Sequence, residues 1–113
     1  MMSTITLYHN PNCSKSRAVL ALLEPLGFPI ETINYQQTPL NLQALQQLLV
    51  YLNQPVQNII RNHENIANFQ HKTQEELLEV LLAQPALLQR PIVVYKEKAM
   101  IGRPPESVLE LFK

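Results

Sequence analysis

A strand-like run, a helical stripe and an alternating run follow one another across residues 4–35, and that order constrains the fold more than any other feature of the chain. "TITLY" (4–8) reads as a short buried strand, and "NPNCS" (10–14) is turn chemistry, rich in the Asn and Pro that favour turns. From Ser14 to Leu26 the residues Val19, Leu20, Leu22, Leu23 and Leu26 recur at helical spacing, with Pro25 near the end and Gly27 placed to stop the helix. "IETINY" (30–35) alternates as a second strand. A strand–helix–strand unit of this kind places two parallel strands side by side through a right-handed crossover.

The remainder completes the same sheet. Asn41 is positioned to cap a helix carrying Leu42, Leu45, Leu48, Leu49 and Leu52. A short helix is expected around 55–61, and Thr73 with Glu76 forms a capping box for "TQEELLEVLLA". "PIVVY" (91–95) and "KAMIG" (98–102) read as a hairpin with "KEK" at its turn. "PPESVLELF" reads as a final helix with Pro104 at its permitted first position. The predicted architecture is α/β, a four-stranded mixed sheet flanked by helices, with a helical insertion of about 55 residues between strands 2 and 3. No repeat or linker interrupts residues 1–113, which read as a single domain.

Composition bounds the function. With 46% hydrophobic residues the chain can bury a core, and a formal net charge of zero gives no field to draw nucleic acid or a membrane. No apolar run approaches the roughly 20 residues of a membrane span, and the start lacks the basic-then-apolar profile of a signal peptide. A lone cysteine cannot form an internal disulfide. These features predict a reduced, cytoplasmic protein.

The single thiol, Cys13, falls between the first strand and the first helix. Free N–H groups and the helix dipole stabilise a thiolate there, and the thiolate is the reactive form. A buried, inert cysteine would be equally ordinary at this level, but the surrounding bases favour the reactive reading. Helix N-termini prefer acids, yet Lys15 and Arg17 follow Cys13, and Arg103 stands where Ser, Asp or Asn would cap the last helix better. Two departures in the same direction point to a bound anion. Arg61 and Arg90 each follow an apolar helical run, and the planar guanidinium fork suits an oxyanion. His9 precedes the turn, and Ser16 lies in the first helical turn. His9, His63 and His71 are too scattered to suggest a zinc site. For Arg90–Pro91, base frequencies favour a trans bond.

"YHNPNCSKSR", "IIRNHE", "QRPIVV" and "IGRPPESVLELF", in this order and spacing, resemble the glutaredoxin-coupled arsenate reductases nearly end to end. The resemblance implies a thioredoxin-like fold, Cys13 as nucleophile, and Arg61, Arg90 and Arg103 as the oxyanion clamp. It implies that His9 and Ser16 help lower the thiol pKa and that Arg90–Pro91 is cis. It further implies arsenate as substrate, glutathione as co-substrate with no bound cofactor, and glutaredoxin as partner. One departure is "CSKSR" where well-established reductases often read "CGTSR". Spx-type transcriptional regulators share the fold but use a CxxC switch, and Ser16 occupies the second switch position here. A thiol transferase acting on another oxyanion or a glutathionylated protein is a further alternative. Phosphatase-like arsenate reductases need a C-x5-R loop, and Val19 and Leu20 stand where that arginine would fall.

Overall fold

The computed structural model describes residues 3–61 and 72–113. Four strands, β1 (Ile5–His9), β2 (Ile30–Asn34), β3 (Ile92–Tyr95) and β4 (Lys98–Ile101), form one sheet in the order β2-β1-β3-β4. β1 and β2 are parallel, as the crossover unit requires, whereas β1–β3 and β3–β4 are antiparallel. The predicted mixed sheet is therefore present, with helices on both faces.

Strand alternation divides the core. Ile5 and Leu7 of β1 and Val93 of β3 face Val19 and Leu23 of α1 (Ser14–Leu23) and Val108 of the terminal helix. On the opposite face, Ile92 and Ala99 meet Leu45, Leu48 and Leu52 of α2 (Leu42–Leu52) and Leu77, Leu78 and Leu81 of α3 (Gln74–Ala83). The helical caps behave as their residue types predict. Asn41 Oδ1 accepts from the Ala44 N–H at 2.8 Å, and Thr73 and Glu76 complete the capping box reciprocally.

Three elements differ from the sequence reading. The helix expected over Ser14–Leu26 ends at Leu23 and tightens into a 3-10 turn over Glu24–Leu26, because Pro25 has no N–H to continue an α-helix. Gly27 then takes the left-handed conformation (φ 84°) at its end. The short helix near 55–61 is a 3-10 helix over Val56–Ile59. The last element is also a 3-10 helix, Pro105–Phe112, so Pro104 stands at its N-cap rather than inside it. Val108 and Leu111, three residues apart, lie on one side of that three-residue turn and pack toward the β1–α1 core.

Gly102 is where three elements close on one another. A Cβ at this position would lie 2.7 Å from Val19 Cγ2 and 2.9 Å from Pro91 Cγ, with Val108 Cγ1 at 3.4 Å. Gly102→Ala is expected to destabilise the fold by about 1–3 kcal/mol through overpacking. A urea melt with an unchanged midpoint would show that the contact relaxes freely.

Candidate active site

The loop before α1 is shaped by local hydrogen bonds. The Cys13 N–H donates to Asn10 O at 2.9 Å, closing a turn, and the Asn12 N–H donates to Asn10 Oδ1 at 3.0 Å. The Asn10 N–H reaches Ser16 Oγ at 3.3 Å, and Ser16 is fully buried. Arg17 Nη1 donates to Pro11 O at 2.8 Å, so this base ties down the loop. The conflict between a basic residue and a helix start is thus partly resolved by a carbonyl rather than an anion. Lys15 is exposed and contributes through its backbone N–H.

Cys13 is the N-cap of α1, with extended backbone and no side-chain cap hydrogen bond. Donors nonetheless surround its sulfur. Burial is the largest single influence and opposes ionisation. Against it stand the backbone N–H groups of Ser16 and Lys15, the Ser16 hydroxyl and the Arg90 guanidinium, which together hold the thiol at about 7. His9, at the end of β1, is not in that set. Its Nδ1 is buried without a partner, and burial followed by repulsion from Arg17 lowers its pKa, favouring the neutral ring.

The lowered thiol has a pH consequence with a definite sign. Its folded pKa lies below the ordinary value, so ionised Cys13 adds stability above the ordinary thiol range. That contribution is lost as pH falls through about 7. Titration of thiolate absorbance is expected to show a midpoint near 7, absent in Cys13→Ser. A midpoint at the free-cysteine value of about 8.5 would remove the activation argument.

Arg61 and Arg90 do not simply end helices. They flank a short antiparallel bridge between Ile60 and Leu88, in which the Arg61 N–H donates to Leu87 O (2.6 Å) and the Gln89 N–H to Ile59 O (2.7 Å). This bridge ties together the two segments that carry the arginines, and the charges of Arg61 and Arg90 act on one another. Arg103 Nε donates to Arg90 O at 2.9 Å, which fastens the third arginine to the second. Burial, then the charges of Arg90 and Arg103, lower the Arg61 pKa, while Tyr35 and Cys13 raise it. Arg61 therefore stands among both other arginines and the thiol. Arg61 Nε and Arg90 Nε and Nη1 are buried without partners among the described residues. Among the described residues the single ion pair is Lys113–Glu110, so none of the three guanidiniums is neutralised by a described carboxylate. Gathering three cations with idle donors is unfavourable unless an anion completes the set.

Cys13, Ser16, Arg61, Arg90 and Arg103 are thus brought to one end of the sheet, with His9 one strand position below the turn. The Arg90–Pro91 bond is cis, and so is Arg103–Pro104, which the sequence reading did not anticipate. His63 and His71 lie outside the described residues. Tyr35 was missed as a site residue. It is fully buried and electrostatically coupled to Arg90, Cys13 and Arg61. The signal was its position: it directly follows β2, the parallel neighbour of the strand that leads to Cys13.

A thioredoxin-like sheet here carries one thiol of lowered pKa beside arginines that no described carboxylate neutralises. The sequence profile of the ArsC family matches residues 8–111, and the chain belongs to that family. It is 38% identical to an arsenate reductase of Haemophilus influenzae, over 96% of this chain and 98% of the relative. It is 39% identical to the uncharacterized protein YfgD of Escherichia coli, over 98% of both chains. The arsenate reductase structure from Vibrio cholerae superposes with a TM-score of 0.90 at 35% identity, covering 97% of this chain and 98% of that one.

Proposed function

We propose that this protein reduces arsenate to arsenite, with Cys13 as the nucleophile and Arg61, Arg90 and Arg103 as the oxyanion clamp. The observation that carries this reading is a thiol held at about 7 beside buried guanidinium donors that have no partner. The relatives named arsenate reductase, similar over nearly the whole chain, supply the identity of the oxyanion.

The steps follow from having one thiol. Cys13 thiolate attacks arsenic and expels an oxygen as hydroxide or water, forming a sulfur–arsenic bond. The arginines hold the oxygens as charge redistributes. Glutathione supplies the second thiol. Two electrons pass from the two sulfurs to arsenic, giving As(III) and a Cys13–glutathione disulfide. Glutaredoxin returns Cys13 to its thiol by exchange. Ser16 and Arg90 keep the sulfur ionised, while His9 stands beside the turn as a ring whose lowered pKa favours the neutral form. The cytoplasm, where glutathione is reduced, is the compartment this scheme requires; no helix among the described residues is long and apolar enough to cross a membrane.

The resemblance sets the Spx-type regulators apart by their lack of an arginine matching Arg103, and here Arg103 is present and donates to Arg90 O. The deciding experiment is arsenate turnover by purified protein with glutathione and glutaredoxin. Absence of arsenite formation by protein with an ionisable Cys13 would overturn the reductase reading.

A further inference from the structure

Arg61 and Arg90 account for three of the buried unpartnered polar atoms among the described residues, and Tyr35 adds another. Its Oη is buried and has no hydrogen-bond partner among the described residues. A buried hydroxyl without a partner is costly, and native structures rarely keep one unless something else completes it.

The sheet register shows what Tyr35 sits beside. His9 pairs with Asn34 at the last level of the β1–β2 ladder, so Asn10 and Tyr35 leave the sheet side by side. Arg90 and Pro91 lead into Ile92, which pairs with Tyr8 and Ile101, and Gly102 and Arg103 follow Ile101; the Gly102 N–H to Pro91 O bond at 2.9 Å ties those two segments together at the same end. Tyr35, Asn10, Arg90 and Arg103 therefore all lie where the four strands begin or end at one edge of the sheet, beside the Cys13 turn. The Tyr35 ring is anchored in the same buried cluster as Leu45, Leu81 and Leu88, on the face that also carries the Ile60–Leu88 bridge next to Arg61.

The available partners restrict what the hydroxyl can do. Asn10 Oδ1 accepts from the Asn12 N–H, and the Asn10 side chain bears on Tyr35 as a donor, lowering its pKa. Guanidiniums have no acceptor. The phenolic proton therefore lacks an acceptor among these neighbours. Burial, partly offset by Arg90, raises the Tyr35 pKa, which keeps that proton in place. We propose that Tyr35 is a fourth donor of the oxyanion pocket and hydrogen-bonds an oxygen of the anion held by Arg61, Arg90 and Arg103. This inference rests on the proposed arsenate site but concerns binding, so it can be tested apart from reduction.

Tyr35→Phe keeps the ring and removes the hydroxyl. Calorimetric binding of arsenate and of inorganic sulfate, thermal melting without anion, and titration of the Cys13 thiol would be compared with the unmodified chain. Anion affinity is expected to fall about 10-fold or more, as for loss of a hydrogen bond to a charged group. The anion-free melting temperature should be unchanged or higher, because an unpartnered buried hydroxyl has been removed. A lower melting temperature with unchanged affinity would make the hydroxyl structural and overturn the proposal. Unchanged affinity with a raised Cys13 pKa would place its proton on sulfur instead, also overturning it. If the unmodified chain binds arsenate but does not reduce it, the reductase reading fails while the Tyr35 comparison stands. If it binds neither anion, there is no oxyanion pocket and both fail.

Discussion

Arg90→Ala is expected to lower kcat/KM for arsenate by about 10²–10³-fold, the cost typical of removing one preorganised donor from developing negative charge. Two effects combine. The substitution removes a guanidinium with two buried donors awaiting an anion, and it removes a donor to the Cys13 sulfur. The thiol pKa should therefore rise from about 7, and the pH–rate profile should shift upward with it. Arg90 is only partly buried, which places the expected loss toward the lower end of that range because solvent screens the charge. Arg90→Lys should recover part of the activity and not all, since a planar fork is exchanged for a point charge. Steady-state kinetics across pH with both variants would check this. Full activity in Arg90→Ala would remove Arg90 from the clamp.

Turnover without an external thiol is expected to be absent. The chain has one cysteine, so the second reducing sulfur must arrive from solution. Cys13→Ser should abolish reduction entirely, because a serine hydroxyl ionises far too weakly to replace the thiolate and cannot form a disulfide. Intact-mass analysis after one turnover with glutathione should show a single glutathione adduct, lost on adding glutaredoxin. Sustained arsenite production with only a non-thiol electron donor would contradict the mechanism.

Much of this was legible in the residue pattern, and the exceptions have physical causes. The helical stripes of α2 and α3 and the caps at Asn41 and Thr73 were readable because they depend on neighbours three and four residues apart. The parallel β1–β2 pair followed from the crossover rule, and Cys13 at the start of α1 followed from the turn chemistry before it. The 3-10 character of Val56–Ile59 and Pro105–Phe112 was not readable, because apolar spacing distinguishes tight and ordinary helical turns poorly over so few residues. Convergence of Arg61, Arg90 and Arg103 was suggested by residue type and resemblance, but what positions them is the Ile60–Leu88 bridge between the segments that carry Arg61 and Arg90, and a side-chain bond from Arg103 to a distant carbonyl. Both are long-range contacts without a local signal. Tyr35 escaped notice for a related reason. At the end of an alternating run it resembles an ordinary core aromatic, and only the strand pairing brings it to the same end of the sheet as Arg90.

The division of the core into two faces gives the sulfur and its clamp separate foundations. Cys13 rides on α1, which is anchored through Val19 and Leu23 beneath Val108. Tyr35 is moored on the other side, among Leu45, Leu81 and Leu88, and Arg61 directly follows Ile59 and Ile60 of the same cluster. Damage to the second mooring would let the anion grip slacken while the helix-borne donors Ser16 and Lys15 still held the sulfur. A chain injured in that way would keep a soft, accessible nucleophile and lose its choice of target, open to any passing electrophile.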